Sequence, residues 1–303
     1  MQLSPLKAIA IAAVFLMLIA CATSQEKAKT QLDKMNVPFT EDAFVQKAAE
    51  GDITTVQYFL DAGMDPNVLD KNGNTALIMA IKEGPGEIVT LLLENGADTE
   101  VKDKEFDATP LIWASLEGKT DMVKLLLDKG ADPNAQESKN GMTALHTASV
   151  KGNTEIATVL LEAGVNVDVR DKDGRTPLMW AAHTGQTDTV TFLLDNGADI
   201  EAKDTKAGVN ALISAATRGR TETIEVLLDH GADINARDED GKTALILAAL
   251  IGQADTVKLL LERGADVNAE DKGGRTALSL AKEFGKTNIV EMLMTAGAVE
   301  GGK

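Results

Sequence analysis

Along GKTDMVKLLLDKG, residues Gly118 to Gly130, the apolar positions Met122, Leu125 and Leu126 fall at i, i+3 and i+4. That spacing predicts a helix with one apolar face. Glycine closes it, because glycine adopts left-handed dihedrals without a Cβ penalty. A shorter helix is predicted just before, as in TPLMWAAHTG: Thr176 is a good N-cap, Pro177 suits the first helical position, and Gly185 ends the helix. Small pairs such as Ala181-Ala182 let neighbouring helices approach closely. Between units come polar stretches such as GADINARDEDGKTAL, whose Asp and Gly cluster marks a turn.

The pattern repeats. Glycines recur at Gly63, Gly96, Gly130, Gly164, Gly197, Gly231, Gly264 and Gly297, in steps of 33 or 34. A second series, from Gly51 through Gly285, runs twelve residues ahead of the first in all eight units. The longer helix is therefore fixed in length while the rest of the unit absorbs every insertion. Neither helix can bury its apolar face alone, so the units must stack.

Thr109-Pro110-Leu111, Thr176-Pro177-Leu178 and the TAL triplets at Thr75, Thr143, Thr243 and Thr276 resemble the T-P-L-H turn of ankyrin repeats, and G-A-D-x-N recurs at Gly231 and Gly264. The resemblance covers about residues 40–300. It implies an all-α ankyrin-repeat solenoid of about eight stacked helix pairs with β-turn fingers, curved around a concave groove. Departures are mild. Asn210 replaces a capping threonine and is itself a good N-cap. Gly164-Val165-Asn166 replaces G-A-D, and the first unit lacks the turn motif, as a terminal cap should.

Before the repeats, Ala8 to Ala20 form an apolar run of 13 residues behind Lys7. A membrane-spanning helix needs about 20, whereas a secretory signal needs roughly 7–15. The run ends in Leu18-Ile19-Ala20-Cys21, which resembles a bacterial lipobox and carries the only cysteine. That resemblance implies cleavage, lipidation of Cys21 and stable anchoring by several acyl chains. An ordinary signal peptide with an incidental cysteine, or an uncleaved anchor, is the competing reading. Ala22 is not aspartate, which favours an outer-membrane anchor facing the periplasm; in a monoderm host the protein would sit at the cell surface. The expected organisation is a signal peptide over 1–20, a lipidated cysteine and flexible tether over 21–39, the repeat domain over 40–300 and a short tail over 301–303. The tether could reach at most about 60 Å.

A net charge of −17 speaks against nucleic acid, whose recognition needs clustered Lys and Arg, and against anionic lipid. Solubility explains the acidity more simply than a dedicated basic partner does. Catalysis finds little support. Of three histidines, His146 holds the fourth place of its turn, where the resemblance implies a hydrogen bond within the stack, and His230 lies in a loop before Gly231. No histidine pair has metal spacing. Asp171, Asp173 and Gly174 match the middle of a calcium loop, but Val169 and Trp180 stand where it requires acids. The expectation is no enzyme activity, no cofactor, no metal site and no small-molecule substrate.

The expected function is a protein–protein interaction module, scaffold or adaptor, tethered to the cell envelope and monomeric. An inhibitor or immunity protein that blocks a secreted enzyme is the alternative. The extra residues of three fingers, KDKEFDAT, QESKNGMT and KDTKAGVN, mark either a binding face or neutral drift. Trp113 and Trp180 hold the same place in their inner helices, as partner contacts or as packing between helices. Phe106, Leu116, Arg175, His183, Leu250 and Ile251 complete the candidate partner surface. Of these, Leu250-Ile251 is the most anomalous, as an exposed apolar patch or an irregular cap contact.

Overall fold

A computed structural model describes residues 23–299 of the chain. Cys21, the signal segment and the tail over 301–303 lie outside the described residues. Two compact units are present: the first runs through Glu117 and takes in Asp121–Asp132, and the second holds Gly118–Thr120 and the chain from Pro133 onward.

Helical residues 23–34 form α1. In the first unit follow α2 (Glu41–Glu50) with α3 (Ile53–Asp61), α4 (Ala76–Lys82) with α5 (Gly86–Glu94), and α6 (Pro110–Leu116) with α7 (Thr120–Asp128). The second unit holds five pairs. The first three are α8 (Ala144–Lys151) with α9 (Thr154–Glu162), α10 (Pro177–Thr184) with α11 (Thr187–Asp195), and α12 (Ala211–Thr217) with α13 (Thr221–Asp229). The last two are α14 (Ala244–Ile251) with α15 (Ala254–Glu262), and α16 (Ala277–Glu283) with α17 (Thr287–Thr295). Among the described residues there is no strand, only an isolated bridge between Glu270 and Thr276. Within each unit, inner helix packs on inner helix and outer on outer. The expected all-α repeat architecture is present.

Local chemistry explains the inner helices. Thr176 sits in an extended conformation and accepts the backbone N–H of Met179, with Pro177 supplying a pre-set φ at the first turn. Asn210 does the same work, its Oδ1 accepting from Ile213 N–H at 3.0 Å. The alanine pairs Ala181-Ala182, Ala215-Ala216 and Ala248-Ala249 are fully buried where α10, α12 and α14 meet. With no bulk beyond Cβ, they let leucines from both layers close over them, Leu178, Leu193, Leu212, Leu227 and Leu245 among them. On the outer layer, hydroxyl pairs Thr154–Thr189, Thr187–Thr223 and Thr221–Thr256 link successive repeats at 3.0–3.4 Å.

In the second unit the fingers are joined by single backbone hydrogen bonds. Lys172 N–H donates to Asn140 O, Thr205 N–H to Asp173 O, Glu239 N–H to Ala207 O and Lys272 N–H to Asp240 O, at 2.7–2.8 Å. Such close approach leaves no room for a side chain at the turn. Gly174, at φ +76°, would place a Cβ 3.0 Å from the backbone nitrogen of Thr205. Asp107 holds the equivalent left-handed place in its finger at φ 58°, a conformation that aspartate tolerates better than most residues.

One expectation needs correction. The stretch assigned to a flexible tether is helical from residue 23 to 34, with Ala28 and Leu32 buried. Gln25 lies beside Gly63, and Phe39 stacks on Phe59 at 5.6 Å with Lys29 above it. Few apolar groups suggested disorder, but Ala28 and Leu32 stand one helical turn apart. That pair is enough to cover the apolar end of the first repeat.

Gly174→Ala should destabilise the protein by about 1–3 kcal/mol, through left-handed strain and the crowded Thr205 amide. Urea denaturation of the two proteins measures it.

Candidate functional site

Every finger turns on an acidic side chain. Asp171 Oδ1 accepts the backbone N–H groups of Asp173 and Arg175 at 2.9 Å. Asp103 Oδ1 accepts from Phe106 and Ala108, and Asp204 Oδ1 from Ala207 and Val209. Glu137 does the same for Lys139, Asn140 and Met142. These four carboxylates are buried. The one-residue insertions sit where the glycine spacing put them. Short fingers close by a hydrogen bond from Asp171 N–H to Arg175 O, and long ones from Asp103 N–H to Ala108 O or Asp204 N–H to Val209 O.

The second carboxylate oxygen decides what the tryptophans do. Trp113 Nε1–H donates to Asp103 Oδ2 at 2.8 Å, and Trp180 Nε1–H donates to Asp171 Oδ2 at 2.9 Å. A buried indole needs a partner for its N–H, and each tryptophan finds it in its own finger. Asp171 thereby spends both oxygens on protein donors, so the calcium-like sequence around it is a finger. Among the described residues no group of His, Cys, Asp and Glu could hold a metal.

Trp113 is only 6% exposed, with Phe106 edge-on at 5.9 Å and Lys82 Nζ 4.0 Å above the ring. It packs inside the first unit, with little of the ring left for a partner; the sequence shows the ring but not the carboxylate that draws it in. Phe106 and Leu116 are half-buried. Trp180 differs: it stays half-exposed, with the Arg175 guanidinium 5.2 Å from its ring centroid and the His183 ring edge-on at 6.0 Å.

Arg175, Trp180 and His183 line one cleft of about 300 Å³ together with Asp204, Lys206 and Ser214. Arg175 Nε lies 3.7 Å from Asp204 Oδ2, and Lys206 pairs with Asp173 at 2.9 Å. His183 Nε2 accepts from Arg218 Nε–H at 3.1 Å, which fixes the neutral imidazole with its proton on Nδ1. Burial, then the Arg218, Arg175 and Arg220 cations, hold its pKa below the ordinary 6.5. Asp204, Lys206 and Ser214 escaped the sequence reading. Their signal was the equivalence of Asp204 with Asp103 and Asp171 in register.

The other candidates lie elsewhere. Leu250 is half-buried against the core of the second unit, while Ile251 stays 43% exposed. His146 is fully buried. Its Nδ1 accepts from Thr143 N–H at 3.2 Å, and its Nε2–H donates to Arg175 O of the next finger at 3.1 Å. Burial lowers its pKa as well. His230 Nδ1–H donates to Val226 O at 2.8 Å.

The family model for ankyrin repeats (3 copies) matches residues 43–137, 111–204 and 212–301. The chain belongs to the ankyrin-repeat family, whose members are typically non-enzymatic protein-interaction modules. It is similar to an ankyrin repeat-containing protein of Treponema pallidum (strain Nichols), at 33% identity over 24% of this chain and 24% of the other. It is also similar to an ankyrin repeat-containing protein of Schizosaccharomyces pombe, at 45% over 19% of this chain and 28% of the other. An ankyrin repeat protein of Acanthamoeba polyphaga mimivirus matches at 41% over 17% and 12%. The chain thus spans less than a third of each of these relatives.

Trp113→Ala should cost about 3–5 kcal/mol, as a buried aromatic lost to a cavity. The half-exposed Trp180→Ala should cost about 1–3. Chemical denaturation separates the two, and equal losses would place both rings in the same environment. Both His146 and His183 have folded pKa values below 6.5, so the unfolded chain binds their protons first. Stability should therefore fall as pH drops below 6.5, and fall less steeply in His183→Gln. Unfolding free energies at a series of pH values from neutral downward give the comparison.

Proposed function

We propose that the chain is a protein-binding module anchored to the bacterial cell envelope through lipid on Cys21, and that it takes its partner on the face built by inner helices and fingers. In ankyrin stacks that face is the concave one. The observation that carries the reading is the cleft around Trp180. There a half-exposed aromatic, two cations and a neutral histidine converge on one surface of the second unit, away from the well-filled core. Aromatic and arginine side chains in such settings dominate protein interfaces. A scaffold or adaptor role fits better than catalysis, since Asp171 spends both carboxylate oxygens on holding the finger and its tryptophan, and Asp204 spends one on its own finger. The anchor rests on the sequence alone: an apolar run of signal length ending at the sole cysteine. The protein is expected to act as a monomer at the outer membrane, facing the periplasm.

The test places a photo-reactive phenylalanine analogue at Lys206 or Ile251 on the inner-helix and finger side, and at exposed Lys258 on an outer helix. In native envelopes the first two positions should yield the same discrete adduct and Lys258 none. Adducts from Lys258 alone, or from no position, would sink the reading. Labelled palmitate should enter the wild type and not Cys21→Ser; incorporation in both would remove the anchor.

A further inference from the structure

The cleft beside Trp180 has the shape of something found filled in the first unit. Asp103, Phe106, Trp113 and Lys82 have counterparts Asp204, Ala207, Ser214 and His183, each displaced by 101 residues. Both fingers are long ones, and both close by the same backbone pattern, the aspartate Oδ1 accepting N–H groups three and five residues on. In the first unit the pattern is completed by two rings: Trp113 gives its N–H to Asp103 Oδ2, and Phe106 lies edge-on against it. In the second, alanine and serine stand in their places, and an opening of about 300 Å³ lies there, lined by Ala207, Ser214, Met179, Val209 and Trp180.

Asp204 keeps the carboxylate without the indole. Its side chain is 4% exposed, and its Oδ2 faces Arg175 Nε at 3.7 Å, beyond hydrogen-bond length. The oxygen that an indole N–H occupies in Asp103 and Asp171 is therefore open to a donor from outside. Lys82 caps the Trp113 ring in the first unit, and His183 holds that position here. Arg175 adds a guanidinium that can meet the face of an incoming ring. Arg175 and Lys206 disfavour a cationic guest, so the donor must be neutral.

We propose that this cleft is a receptor for a tryptophan side chain of the partner protein, seated with its indole N–H on Asp204 Oδ2 and its ring among Trp180, Met179 and Val209. The occupant replaces, from a second chain, the ring that Ser214 omits. The volume suits one aromatic side chain, at the small end of ligand sites. This rests on the reading of the inner-helix and finger face as the binding face.

The probe is N-acetyl-L-tryptophanamide, observed by saturation-transfer NMR on the full chain, beside its 1-methylindole analogue, which has no N–H. The tryptophanamide should bind, and the methylated analogue should bind roughly tenfold more weakly, for one lost hydrogen bond to a charged acceptor. Ser214→Trp should fold, melt at higher temperature by supplying the missing ring internally, and bind neither probe. Asp204→Asn should weaken the tryptophanamide and narrow its advantage over the analogue. Equal binding of the two probes, no binding to the wild type, a Ser214→Trp protein that fails to fold, or one that still binds would each overturn the proposal. Probe failure with intact cross-links removes only the indole receptor. Probe binding without cross-links removes the partner-binding face instead.

Discussion

A carboxylate at the base of each finger, withdrawn from water in Asp103, Glu137, Asp171, Asp204 and Asp271, sets the terms for the rest of the structure. An ionised group cannot be left buried without partners, and here the partners are the backbone N–H groups of the turn itself. Asp103, Asp171 and Asp204 each hold two. Hydrogen bonds to a charged acceptor contribute about 1.5–3 kcal/mol each, so the loop conformation and the buried charge stabilise one another. Glu137 achieves the same with a longer side chain, in the finger where aspartate is absent. With the turns fixed, adjacent fingers of the second unit come close enough for one backbone hydrogen bond between neighbours.

The tryptophans follow from that constraint. Each indole is recruited by the free oxygen of its own finger, which binds the inner helix to the loop before it. How deeply the ring then sinks depends on its neighbours. Phe106 and Lys82 close over Trp113, whereas Trp180 meets Arg175 and His183, side chains that leave part of it in solvent. Two rings in one register position thus end at different depths.

Charge is distributed against the average of the chain. A protein of net charge −17 gathers Arg175, Lys206, Arg218 and Arg220 around one surface. Burial, then the Arg218, Arg175 and Arg220 cations, hold the His183 pKa down, and the neutral ring can then accept from Arg218. At the other end, α1 covers the first repeat with only two buried apolar side chains, Ala28 and Leu32. A terminal repeat exposes an apolar flank, so even a weakly amphipathic helix gains by covering it.

Periodicity in the sequence alone fixed the repeat, the two helices per unit, the capping role of Thr176 and Asn210, and the fingers that lengthen. Each of these depends on residues near one another along the chain: caps, glycines at left-handed positions and apolar stripes. The 13-residue apolar run before Cys21 is also a local pattern, and the anchor is proposed on that pattern alone. What the sequence could not decide was which candidate side chains meet solvent. Trp113 and Trp180 stand in matching contexts, and Leu250 and Ile251 are equally apolar. Burial depends on what the adjacent repeat supplies, at separations of 30 residues or more, such as Lys82 over Trp113. Only the tertiary structure brought Asp204, Ala207 and Ser214 onto Trp180, because an opening is made by side chains that are absent, and absence has no pattern until the neighbours are in place.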